Sequence, residues 1–218
     1  MGMFSMRSFL LSTLLLTASV SILVSLQPAM AQTEPATAST PGQFIQTLAD
    51  TALNSITGKK LSDAETTDRF RTLLRESFDL KAIGRFALGP YYNAATPAQR
   101  EDYQAAFENM IVDSYAIRFR DYTGGQVKVG REVQQGEKDT LVDSQIIQNT
   151  GAPPINVTWR VRKEGDAMKI VDVAVEGVSM GQTERSEFSS LIERNGGQVQ
   201  PLIDALKNHQ VGLQANDQ

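Results

Sequence analysis

The stretch Ile155 to Gly181, INVTWRVRKEGDAMKIVDVAVEGVSMG, decides how this chain folds. Ile155, Val157, Trp159 and Val161 alternate with Asn156, Thr158, Arg160 and Arg162, the period of a strand with one buried face. Lys169 to Glu176 repeats the pattern, with Val171, Val173 and Val175 on one side. Between the runs, Lys163-Glu164-Gly165-Asp166 is a turn, too short for the helical crossover that parallel strands need. The two runs are therefore antiparallel neighbours.

The same stretch ends in Gly177-Val178-Ser179-Met180-Gly181, a match to the G-x-S-x-G nucleophile elbow with a strand-like run before it and a helix-like run after it. That elbow belongs to a mostly parallel sheet and is followed in the chain by an acid and then a histidine. Here His209 is the one histidine, and only Glu184, Glu187, Glu193 and Asp204 supply acids between it and the serine. A secreted serine esterase using Ser179 and His209 is thus the alternative reading. The apolar face also changes phase at Gly177, from the odd-numbered valines to Val178 and Met180. A β-bulge or a close backbone approach would require glycine at such a step. An ordinary strand end and a ligand-facing bend both satisfy the pattern.

Upstream, Val127, Val129 and Val133 alternate, and Leu141 to Ile147 forms a further run. The links QQGEKD and NTGAPP are turn-like, so the four runs form an antiparallel meander. The rest of the chain has helical spacing. Phe44, Ile45, Leu48, Ala49, Leu53 and Ile56 predict a helix over Gln43 to Thr57, stopped by Gly58. Ser62-x-x-Glu65 is a capping box opening a second helix with Phe70, Leu73 and Leu74. Asp79 caps a short third helix bearing Leu80, Ile83 and Phe86, ended by Gly89-Pro90. Thr96-Pro97 starts the longest helix, whose stripe is Tyr103, Phe107, Met110, Ile111, Ser114 and Tyr115, and Gly124-Gly125 close it. Two helices follow the sheet, about Thr183 to Arg194 and Val199 to His209. The expected class is α+β: helices, then a four-stranded antiparallel sheet, then helices.

The N-terminus reads as an export signal: Arg7, an apolar run from Phe9 to Val24, and the cleavage pattern Ala29-Met30-Ala31. At ~1.5 Å per residue that run reaches ~24 Å, short of the ~30 Å hydrocarbon core an anchor must cross. Cleavage after Ala31 leaves 187 of the 218 residues, with 20 basic against 25 acidic side chains once Arg7 is gone, a net charge of −5. The expected organisation is a signal peptide over 1–31, a flexible linker over 32–42, a single domain over 43–210 and a disordered tail over 211–218. An acidic balance argues against nucleic acid as a partner. The chain contains no cysteine, so thiol catalysis, disulfides and thiolate zinc sites are excluded. No P-loop, dinucleotide glycine pattern or His-rich metal constellation occurs either.

A series of short motifs completes the pattern. Phe78-Asp79 is followed by Ile83-Gly84-Arg85-Phe86-Ala87-Leu88-Gly89, Tyr91, and Thr96-x-x-Gln99-Arg100 with Phe107 and Tyr115 on the long helix; Tyr122-Thr123-Gly124 precedes the sheet and Asp172-Val173-Ala174-Val175-Glu176-Gly177-Val178-Ser179 closes it. In order and spacing, from Phe44 to Leu206, the chain resembles the MlaC family, also called the toluene-tolerance family, of Gram-negative periplasmic phospholipid-binding proteins. It departs from the pattern at Tyr92-Asn93, where many relatives carry Trp-Arg, and at Gly181.

The resemblance implies an apolar cavity between sheet and helices that holds the acyl chains of a phospholipid. It implies no catalysis and no cofactor beyond the bound lipid. It also implies two docking partners: an outer-membrane lipoprotein–porin complex, and an inner-membrane ABC transporter bearing a ring of membrane-anchored substrate-binding domains, the system that maintains outer-membrane lipid asymmetry. A shuttle of this kind is most simply a monomer. The candidate lipid-binding residues are Phe86 and Leu88 on the third helix, Tyr91 and Tyr92 after it, and Phe107, Ile111 and Tyr115 on the long helix. To these the sheet adds Val157, Trp159, Val171, Val173 and Val175, and the closing segment adds Val178, Met180 and Phe188. Arg185, near a helix N-terminus, is the headgroup candidate, since guanidinium pairs well with phosphate. The apolar side chains serve equally as a packed core, which leaves an interaction module without lipid as a further alternative.

Overall fold

The structure, a computed structural model, describes residues 40–56, 60–121 and 125–211. The export signal, the linker as far as Ser39, Thr57 and Gly58, Gly124 and the tail beyond Val211 lie outside the described residues. The first helix, α1 (Pro41–Ser55), starts two residues before the expected Gln43. Thr40 Oγ1 accepts from the Gln43 N–H at 3.2 Å, and Gln43 Oε1 accepts from the Thr40 N–H at 2.9 Å. Pro41-Gly42, read above as linker, is the first helical turn, because proline at N1 follows a threonine cap.

Ser62 and Glu65 form the anticipated capping box of α2 (Asp63–Ser77), and Asp79 caps α3 (Leu80–Leu88) by accepting from the Ala82 N–H at 2.9 Å. Gly89, at φ 60°, ends α3, and a single turn, α4 (Tyr91–Ala94), follows that the sequence did not announce. A further reciprocal pair, Thr96 with Gln99, opens α5 (Pro97–Asp121).

The sheet runs β1 (Gly125–Gln135), β2 (Asp139–Gln148), β3 (Ile155–Glu164), β4 (Ala167–Val175) and β5 (Val178–Ser179), each antiparallel to its neighbour in chain order. Five strands stand where four were expected, and Gly125 pairs with Gln148 rather than closing a helix. The phase change at Gly177 comes from a hairpin and not a bulge: Val175 pairs with Val178, and the two turn residues have φ 47° at Glu176 and 80° at Gly177. Two positive φ values give the mirror-image turn whose twist suits a two-residue hairpin. Glu176 tolerates the conformation while its carboxylate accepts from the Asn156 N–H at 2.6 Å.

The bulge lies earlier, within β4. Arg160 pairs with Asp172 but Val161 pairs with Ile170, so Val171 is the extra residue and the alternation of β4 inverts there. Ile170, fully buried against Val142 and Val161, takes the inward place that parity assigned to Val171.

After β5, α6 (Met180–Arg194) and α7 (Gln200–Lys207) return to the helical side. Tyr103 and Phe107 of α5 stack at 5.8 Å between centroids, and both meet Phe188 of α6 edge-on at 6.2 Å; Leu88, Leu202 and Ile203 complete this core. Ile45 and Leu48 of α1 pack on the inner sheet face. Bonds from the Asp79 N–H to the Ile170 carbonyl and from Lys169 Nζ to the last carbonyls of α2 fasten β4 to the α2–α3 corner. The opposite sheet face carries ion pairs such as Arg131–Asp143 and is solvated.

Candidate functional site

The helices do not close down on the whole inner face of the sheet. Between them lies a cavity of about 530 Å³. Its floor is Val127 (β1), Ile146 (β2), Ile155, Val157 and Trp159 (β3), and Val173 and Val175 (β4). Its roof is α1, through Ile45, Leu48, Ala49, Ala52 and Leu53, with Phe70 and Leu74 of α2 and Phe107, Met110, Ile111 and Tyr115 of α5. Phe78, Leu80 and Ile83 close one side and Met180, Gly181 and Glu184 another. Every helix arrives there by the 3.6-residue spacing of its apolar stripe and every strand by period two, so the wall is almost wholly hydrocarbon.

Few polar side chains reach the lining. Trp159 Nε1 is satisfied by Ser144 Oγ at 2.8 Å, and Gln148 stands at the end of β2. Asp172 accepts from Ser179 Oγ at 2.7 Å and from the Gly181 N–H at 3.2 Å, tying β4 to the start of α6. Glu184 differs from all of these. It is 3% exposed, and neither carboxyl oxygen has a hydrogen-bond partner in the protein. Burial, reinforced by the neighbouring Glu187 carboxylate, pushes its carboxyl up to about 8, so it is chiefly protonated at neutral pH. Tyr103, buried and close to Glu184, is raised well above the usual phenol value.

Of the residues singled out from the sequence, Phe107, Ile111, Tyr115, Val157, Trp159, Val173, Val175 and Met180 meet in this cavity. The others lie elsewhere. Leu88 and Phe188 are fully buried in the helical core, because that stripe of α6 faces α5 and α7. Tyr91 packs on the same core, and the Tyr92 ring sits between the guanidinium groups of Arg85 and Arg100 at 5.2 and 5.0 Å. Phe86 is 39% exposed beneath Arg185, whose guanidinium stacks on the ring at 5.1 Å rather than turning to the lining. Val171 leaves the inner face at the bulge, and Val178 is 51% exposed beside the hairpin turn.

The contribution of α1 and α2 was missed because their stripes read equally as core. Glu184 was legible: Gly181, Glu184, Phe188 and Ile192 form the buried stripe of α6, which places a glutamate on an inward face.

The elbow does not assemble a triad. Ser179 is the N-cap of α6: its Oγ accepts from the Gln182 N–H at 3.1 Å while donating to Asp172. His209 lies beyond α7, with Nδ1 3.5 Å from the Asp113 carboxylate, and is 69% exposed. A serine used as cap and donor, with no histidine beside it, does not form the Ser-His-acid constellation of that elbow.

A sequence model described as MlaC protein matches residues 46–208. The chain belongs to the MlaC family. The intermembrane phospholipid transport system binding protein MlaC of Haemophilus influenzae is 24% identical over 200 residues, spanning 88% of this chain and 86% of its own. The toluene tolerance protein ttg2D of Pseudomonas putida is 25% identical over 114 residues, or 52% of this chain and 53% of that protein. Among solved structures, the phospholipid-binding protein from Ralstonia solanacearum in complex with a phospholipid shares the fold, with a TM-score of 0.71 and 22% identity over 78% of this chain and 96% of that one. Of the MlaC motif residues noted above, Phe78, Ile83, Phe107 and Tyr115 line the cavity, and Asp172 to Ser179 builds the hairpin at its edge.

Proposed function

We propose that this protein is a periplasmic phospholipid carrier: it takes the acyl chains of a lipid into the cavity between α1, α2, α5 and the sheet, and performs no chemistry on them. The observation that carries the reading is the hydrocarbon lining of a 530 Å³ cavity, a volume within the ~300–1,000 Å³ typical of ligand sites. Two chains hold ~30 methylenes, and exposing them to water at ~0.8 kcal/mol each would cost ~24 kcal/mol. A carrier must offer an equally apolar wall, and Val157, Trp159, Val173, Ile111 and Phe107 supply it. The names of the relatives, an intermembrane phospholipid transport protein and a phospholipid-binding protein, support the same reading.

On this proposal the export signal is cleaved after Ala31, and the carrier shuttles as a monomer between an outer-membrane lipoprotein–porin complex and an inner-membrane ABC transporter. Native mass spectrometry of the purified protein, followed by organic extraction, tests the lipid reading. One adduct of phospholipid mass per chain is expected. Val173→Asp puts a charge on the cavity floor and should abolish the adduct in a folded protein. A wild-type chain that stays bare after incubation with phospholipid vesicles would overturn the proposal, and so would lipid retained by Val173→Asp.

A further inference from the structure

Glu184 is a buried polar group of the lining that the fold leaves unserved. Polar groups of the surrounding elements hydrogen-bond to other partners. The Tyr103 hydroxyl donates to the Gly84 carbonyl at 2.9 Å, Gln104 Nε2 donates to the Leu80 carbonyl at 2.7 Å, and Asp172 holds Ser179 and Gly181. Arg85 of α3 lies on the Tyr92 ring and Arg185 of α6 on the Phe86 ring. Of the titratable groups around Glu184, Glu187 on its own helix adds to burial in favouring the neutral carboxyl, while Tyr103 on α5 lies close by and Asp172 on β4 shares the lining. What Glu184 brings to the lining is therefore an O–H donor beside a carbonyl acceptor, buried and without a protein partner, where leaving a polar group unpaired is costly.

Below its headgroup, a diacyl phospholipid offers three kinds of group to such a site. The acyl chains have nothing to accept with, and the phosphate is an anion with no cation to meet it here. The ester carbonyls are neutral acceptors at the head of the chains. We infer that Glu184 is a ligand-binding residue whose carboxyl donates a hydrogen bond to an ester carbonyl of the bound lipid, so that the cavity selects ester-linked over ether-linked chains. This rests on the carrier reading above.

The test uses delipidated protein and two probes, a diacyl phosphatidylethanolamine and its diether counterpart with the same chains, competing against a fluorescent phospholipid. The wild-type chain should bind the diester about tenfold more tightly, the effect of leaving one buried donor unpaired. Glu184→Gln retains an amide donor and should retain most of the preference. Glu184→Leu should bind the two lipids equally. Equal binding by the wild-type protein, or an undiminished preference in Glu184→Leu, overturns the assignment while the carrier reading stands. Binding of neither probe by the wild-type protein sinks both.

Discussion

Replacing Glu184 by glutamine changes one atom pair in the cavity wall and removes a titration. The folded carboxyl is raised to about 8, against 4.5 in an unfolded chain. Between those two values the folded chain holds a proton that the unfolded chain has released. Stability therefore falls as pH rises through the window, by ~1.4 kcal/mol per unit, and falls no further above the folded value. Relative to acid solution the loss is roughly 3 kcal/mol at neutral pH and roughly 5 kcal/mol once both states are ionised. Glutamine is neutral throughout, so Glu184→Gln should match the wild-type chain near pH 4.5 and exceed it by about 3 kcal/mol at neutral pH. Urea unfolding of both delipidated proteins from about pH 5 to about pH 8 gives the difference curve directly. Glu187, itself raised by burial, titrates in both proteins and largely cancels. A difference curve that is flat across the window would refute the buried neutral carboxyl, and a glutamine variant that loses ground with rising pH would reverse its sign.

Phe188→Ala should cost about 3–5 kcal/mol in urea unfolding, because it empties the centre of the Tyr103–Phe107–Phe188 cluster, yet the variant should keep its lipid under folding conditions. Lipid loss without destabilisation would return Phe188 to the cavity wall. Ser179→Ala removes the cap of α6 and should lower stability by ~1 kcal/mol. Turnover of a chromogenic short-chain ester by the wild-type protein that vanishes in this variant would restore the hydrolase reading.

The candidate site was half legible, for a reason visible in β4. Parity gave Val173 and Val175 correctly and failed at Val171, because the bulge inserts a residue that alternation does not register. On α5, Phe107, Ile111 and Tyr115 were read as one stripe and do share the cavity. Phe188, at the same kind of spacing on α6, turned out to face the helical core. Spacing gives the face of a helix, but the partner of that face comes from helices far away in the chain. The missed start of α1 was a different failure: Thr40-Pro41-Gly42-Gln43 carries a complete capping signal, and the proline and glycine were weighed as a linker.

Local rules settled the longer elements and the antiparallel order of their pairing. Capping side chains start helices by serving their own backbone N–H groups, short turns force antiparallel neighbours, and the want of cysteine rules out thiol chemistry before any coordinates are known. Contacts between distant residues settled the rest. Whether a valine packs solid or lines a void depends on how far α1 and α5 stand from the sheet. Whether Ser179 is a nucleophile depends on Asp172 and His209, and whether Glu184 is charged depends on the hydrocarbon folded around it. None of these is local, because volume, dielectric environment and hydrogen-bond partners belong to the packed assembly of helices and sheet.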